Sequence, residues 1–136
     1  MFMNSTAMTQ VNGRRVLVVD DDESLLRMLE QMLTAGGYAV ELCSTFETAK
    51  QRLTLSPPDV LLTDVRLGAF NGLQLVILAK ELSPGTTTIV MSAYDDVTLR
   101  KEASHCGASY LQKPFTGEAM FNSLSSDTPP GEGVMT

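Results

Sequence analysis

The chain has 136 residues, 43% of them hydrophobic and 19% charged, with a formal net charge of -6 at pH 7. That length suits one domain and buries roughly two-thirds of the unfolded surface, and the balance excludes a disordered protein. An acidic chain with no basic stripe is also a poor nucleic-acid binder, because nothing offsets repulsion from phosphates. Cys43 and Cys106 are too few and too far apart for a disulfide framework or a zinc site, and read as small hydrophobes in a reducing compartment. Residues 1–12 lack the charged and apolar regions of a signal peptide. The longest apolar run, residues 73–79, is interrupted by Gln74 and is far too short to span a bilayer. The expectation is a cytoplasmic protein with no membrane contact.

In chain order, residues 1–13 are small and polar and read as a disordered lead. A strand is predicted over 15–20. A helix is predicted over 23–35, where Leu25, Leu26, Met28, Leu29, Met32 and Leu33 recur at helical spacing and Gly36-Gly37 ends the pattern. Residues 38–43 alternate like a strand nearer a sheet edge, and Phe46, Ala49 and Leu53 mark a short second helix. Ser56-Pro57-Pro58 punctuates before a strand over 59–64. Residues 67–72 read as a loop, and an apolar helix over 73–82 stops at Ser83-Pro84-Gly85. A strand over 87–92, a weakly amphipathic helix over 97–106, a strand over 109–112 and a short helix over 115–124 complete the pattern. Residues 125–136, with Pro129-Pro130-Gly131, read as a disordered tail.

Strands alternating with helices define an α/β fold with a five-stranded parallel sheet and right-handed crossovers. Four of the apolar runs end on chemistry-bearing residues. Val16-Leu17-Val18-Val19 meets Asp20-Asp21-Asp22, Val60-Leu61-Leu62-Thr63 meets Asp64, Ile89-Val90-Met91 meets Ser92, and Tyr110-Leu111-Gln112 meets Lys113-Pro114. In an open α/β sheet the crevice lies outside the carboxyl ends of the strands. Carboxylates, a hydroxyl and an ammonium are therefore expected in one pocket, suited to a divalent metal and a phosphoryl group.

Four separately placed motifs, Val-Val-Asp-Asp, Leu-Thr-Asp-Val-Arg-Leu, Met-Ser-Ala and Gln-Lys-Pro-Phe, resemble in order the receiver domain of two-component response regulators. The resemblance covers residues 14–124. It implies a flavodoxin-like, doubly wound fold with strand order 2-1-3-4-5 and helices on both faces. It further implies that Asp64 accepts a phosphoryl group from a histidine kinase or a histidine phosphotransfer protein. Asp21 and Asp64 would ligate Mg²⁺ directly, Asp20 would act through water, and the backbone carbonyl of Arg66 would complete the protein's share. Lys113, before a proline that the family typically holds cis, would pair with the phosphoryl group, and Ser92 would hydrogen-bond its oxygen. Tyr110 matches the aromatic switch position, and Ala93 matches the small residue that keeps the site open. Arg66 and Tyr94, two residues beyond Asp64 and Ser92, match positions flanking the path of attacking water and are expected to tune the phosphorylated lifetime.

Three departures from the family pattern stand out: Leu67-Gly68 replaces a Met-Pro-like pair, Asn71 stands where an acidic residue is common, and the last helix is poor in helix formers. Asp22 reads as a helix N-cap and His105 as solvated surface. Two other readings compete. In a pseudo-receiver the fold would persist without phosphate uptake, although every key residue is present. An aspartate-nucleophile phosphohydrolase of the haloacid dehalogenase type would use Asp20-x-Asp22-x-Ser24, yet it leaves Asp64 and Lys113-Pro114 unexplained and wants a longer chain with a cap. The expectation is thus a phospho-acceptor with intrinsic autodephosphorylation at most, rather than an enzyme. It is either a stand-alone regulator or a receiver from a longer chain, with no downstream target named by the sequence.

Overall fold

Val16, Leu17, Val18 and Val19 are all buried because strand β1 (Arg15–Val19) has a partner along each edge and helices over each face. Its neighbours are β2 (Ala39–Cys43) and β3 (Val60–Asp64), with Val16 opposite Val40 on one side and Val60 on the other. Strands β4 (Thr87–Ser92) and β5 (Ser109–Gln112) continue beyond β3. Numbered within this five-stranded sheet, the order is 2-1-3-4-5 and every pairing is parallel. The computed structural model describes residues 13–125. Apart from Gly13 and Ser125, the expected lead and tail lie outside the described residues.

Period-two alternation divides the core between the two faces. Leu17, Val19, Leu61 and Val90 pack under α2 (Phe46–Leu55), α3 (Leu73–Leu82) and α4 (Val97–His105). Val16, Val18, Leu62, Ile89 and Met91 pack under α1 (Glu23–Ala35) and α5 (Gly117–Leu124). Burying both faces is what makes the strands of a parallel sheet near-continuous apolar runs. The edge strand β2 is mostly half-exposed, in keeping with its alternating sequence. Among the described residues, no helix is long and apolar enough to cross a membrane.

Caps set the helix boundaries. The Asp22 carboxylate accepts from the Ser24 and Leu25 amides at 3.0 and 3.2 Å, so the helix starts at Glu23; the first strand ends at Val19, one residue before the expected limit. Helix α1 ends with Gly37 at φ 94° and the Tyr38 amide donating back to the Leu33 carbonyl at 3.1 Å, the closure that a left-handed residue permits. The last helix begins at Gly117, not at residue 115, because Thr116 caps it by accepting from the Ala119 amide.

One expectation needs correction. Residues 67–72 are not plain loop: Arg66–Leu67 pairs antiparallel with Phe70–Asn71. Gly68 turns this small hairpin at φ 63°, a conformation that Leu-Gly supplies and a β-branched residue would resist.

Candidate functional site

The carboxyl ends of β1 and β3 deliver the acidic groups. Asp20, Asp21 and Asp64 each offer a carboxylate oxygen, and these oxygens lie within 4.8 Å of one another. Asp20 is 1% exposed and Asp64 9%, whereas Asp21 is open to solvent. The burial of Asp20 and Asp64 follows from the strands: Asp20 directly follows β1 and Asp64 ends β3, each after a run that neighbours cover on both faces. The Asp20 amide still donates to the Cys43 carbonyl at 3.1 Å, which fixes the backbone where the side chains diverge.

Strand β5 brings in the cation. Lys113 Nζ donates to Asp20 Oδ2 at 2.6 Å and lies 3.1 Å from Asp64 Oδ1. The Lys113 amide donates to the Ser92 carbonyl at 2.7 Å, and the Lys113-Pro114 peptide is cis. The second Asp20 oxygen, Oδ1, accepts from the Asp22 amide at 2.9 Å. Burial opposes the charge on Lys113, but its hydrogen bonds to Asp20 and Asp64 and their negative charge outweigh that, so its pKa is raised. The Asp64 carboxyl is also pushed up, first by burial and then by repulsion from Asp20, with Lys113 opposing both. A buried carboxylate beside other carboxylates, compensated by one ammonium, is an incomplete charge balance that a hard cation would complete.

The hairpin following β3 is held close to the acidic residue. Gly72 is buried, and a Cβ there would meet the Asp64 carbonyl oxygen at 2.0 Å. No larger residue fits that approach. Asn71 accepts from the Leu73 amide at 2.8 Å, which opens α3. The Asn71-Gly72 pair therefore reads as a turn that presses the loop carrying Arg66 against Asp64.

On the other side of the pocket, Ser92 is 4% exposed. Its hydroxyl accepts from the Tyr94 amide at 3.1 Å and donates to the Tyr94 carbonyl at 3.3 Å. The half-buried Tyr110 donates its phenolic hydroxyl to that same carbonyl. Tyr94 is thus the shared anchor of the two expected switch residues. Its ring in turn carries the Arg66 guanidinium, 4.9 Å from the centroid, at a cation–π distance. Arg100 stacks on Tyr110 at 4.4 Å and pairs with Asp95 at 2.9 Å.

Asp20, Asp21, Asp64 and Lys113 therefore come together in space, and Ser92 joins Lys113 through the backbone. Asp22 stands apart as a cap, and His105 is exposed. Sequence reasoning missed the contact between Arg66 and Tyr94, although it singled out both; no sequence spacing encodes a stack between residues on two different loops. It also missed Arg100 on Tyr110, for the same reason.

The family model for the response regulator receiver domain matches residues 16–125. Among curated proteins, the DNA-binding transcriptional regulator NtrC of Klebsiella pneumoniae is 39% identical over 102 residues, 72% of this chain and 21% of that protein. The response regulator MprA of Mycobacterium sp. (strain KMS) is 32% identical over 123 residues, 88% of this chain and 54% of that one. The chain spans about a fifth of the length of the NtrC proteins it matches. Among solved structures, a beryllofluoride-activated NtrC4 receiver domain dimer superimposes with a TM-score of 0.77 at 30% identity, covering 83% of this chain and 94% of that one. A CheY-like receiver domain protein from Methanospirillum hungatei JF-1 gives a TM-score of 0.78 at 26% identity, over 82% and 90% of the two chains. A Burkholderia pseudomallei response regulator with a phosphorylated aspartic acid and a calcium ion gives 0.79 at 25% identity, over 90% and 73%. With fold, motif order and family model in agreement, the chain belongs to the response regulator receiver domain family and is a phosphorelay receiver.

Proposed function

We propose that Asp64 is the phospho-acceptor, taking the phosphoryl group from a phosphohistidine on a histidine kinase or a histidine phosphotransfer protein. The observation that carries this reading is the convergence of Lys113 on Asp20 and Asp64, with three carboxylates in reach of one cation. An Asp64 oxygen attacks phosphorus, the bond to the donor's imidazole nitrogen breaks, and an acyl phosphate forms as the neutralised imidazole leaves.

Mg²⁺ suits this donor set, because it prefers oxygen ligands and keeps several waters. Asp21 and Asp64 would hold it directly, with the Arg66 carbonyl. Asp20 would act through water, consistent with its oxygens being occupied by Lys113 and the Asp22 amide. When bound, the ion neutralises the incoming phosphoryl oxygens. Lys113 then pairs with the acyl phosphate, and the Ser92 hydroxyl leaves Tyr94 to donate to a phosphoryl oxygen. Losing one of its two hydroxyl donors frees the Tyr94 carbonyl to move with Tyr110, a local electrostatic change read out as packing.

Amide spectra recorded with Mg²⁺, before and after adding beryllofluoride as a phosphoryl mimic, test this reading. Shifts spreading from Asp64 to Ser92, Tyr94 and Tyr110 are expected. A spectrum unchanged by the mimic would instead identify a pseudo-receiver.

A further inference from the structure

Helices α2 and α3 leave a groove of about 400 Å³ between them, lined by Phe46, Lys50, Phe70, Ile77, Leu78 and Glu81, among others. Phe70, Ile77 and Leu82 are 42, 48 and 43% exposed, and Leu82 lies one turn beyond Leu78 on α3. At one end of the groove the Phe46 and Phe70 rings stack with centroids 4.5 Å apart and planes inclined by 11°. Single exposed apolar side chains are ordinary, but a run of them along one preformed groove marks an interaction surface.

Charge identifies the occupant. Lys50 stands on the α2 wall and Glu81 on the α3 wall, while Arg52, the other basic residue near this stretch of α2, is already paired with Glu41. The groove thus bears one cation and one anion on opposite sides of an apolar strip. A two-fold axis running along the groove lays α2 of one copy over α3 of the other, the two helices parallel because both cross between parallel strands, and brings Lys50 toward Glu81 of the second copy, twice. A surface that is self-complementary in this way is what an isologous interface requires. A uniformly charged partner would meet a like charge on one wall. We infer that the α2–α3 groove is a self-association surface at which a second copy of this chain docks, independent of the acidic pocket.

Sedimentation of the 136-residue chain over a concentration series, without phosphoryl donor, tests the inference. The weight-average mass should rise toward the dimer, and Ile77→Asp should hold it at the monomer. Lys50→Glu and Glu81→Lys should each weaken association about tenfold, and the double variant should recover most of that loss, because only the charge swap restores both pairs. The swap keeps the test decisive even if Ile77→Asp folds poorly. A wild type that stays monomeric into the millimolar range would overturn the inference. So would a dimer indifferent to Ile77→Asp, or a double variant no better than the single ones.

Discussion

The Lys113 ammonium sits 2.6 Å from the Asp20 carboxylate although 93 positions separate the two residues in the chain. With Asp64 also 3.1 Å away, one Lys113 ammonium is shared between two buried carboxylates and compensates part of their negative charge. Lys113→Ala should therefore lower stability in the absence of divalent metal by about 2 kcal/mol, the range for a charge-assisted hydrogen bond, with Mg²⁺ returning part of it. The same variant should still take up phosphate slowly yet fail to switch, because the acyl phosphate loses its pairing cation. Urea unfolding with and without Mg²⁺ checks the first effect, and beryllofluoride-induced shifts at Ser92 and Tyr110 check the second. Normal shifts in the variant would refute its role in switching.

Asp64 makes stability depend on pH in a definite direction. Its carboxyl pKa is raised in the folded protein by burial and by Asp20, so the folded state binds that proton more tightly than the unfolded chain. Its contribution favours folding below the ordinary aspartate range and is lost as pH climbs through the raised value. Asp64→Asn should accordingly be more stable than the parent at pH 7 without metal. The advantage should shrink as the pH falls back toward the ordinary range. Thermal unfolding at a series of pH values in a chelator reads this out, and a variant less stable than the parent at pH 7 would contradict it.

Asp21 and Asp22 are adjacent but should behave differently. Asp21→Asn should weaken Mg²⁺ binding and block phosphorylation. Asp22 caps α1 through two amides, and Asn caps as well as Asp, so Asp22→Asn should change neither metal affinity nor stability appreciably. Asp22→Ala should cost about 1 kcal/mol of stability with metal affinity retained. Equal losses of affinity in Mg²⁺ titrations of the two Asn variants would show that the register of the metal ligands is wrong.

The Arg66–Tyr94 stack bridges the two loops that flank the acidic pocket. Water attacking an acyl phosphate on Asp64 must arrive in line with it, and the expectation is that two large side chains held against each other obstruct that approach. Arg66→Asn with Tyr94→Ala should shorten the phosphorylated half-life several-fold. Because the stack needs both partners, each single change should bring most of the effect, so the two should not add. Decay of the phosphorylated protein at fixed Mg²⁺ measures this, and an unchanged or longer half-life would rule the stack out as a barrier.

How far the sequence could be read depended on the range of the signal. Apolar runs such as Val16 to Val19 and Ile89 to Met91 marked strands, and the residues ending them marked the pocket, because a parallel sheet aligns its carboxyl ends. Asp22, Gly37 and Thr116 act within a few residues of themselves, so helix limits were legible to within a residue or two. The hairpin around Gly68 was not legible, since two-residue strands lack a period to detect. Nor were the stacks of Arg66 on Tyr94 and Arg100 on Tyr110, which join separate elements and follow from packing alone. The strand order itself came from resemblance, because local pattern does not determine which strands are neighbours.

The acceptor itself is the most direct test. Incubating the parent and Asp64→Ala with Mg²⁺ and acetyl phosphate, then locating any added phosphoryl group by mass spectrometry of proteolytic fragments, decides whether Asp64 carries the chemistry. The parent should gain one phosphoryl group, on the fragment holding Asp64, and the folded variant none. Stoichiometric labelling of Asp64→Ala, or labelling of the parent at another residue, would contradict the assignment.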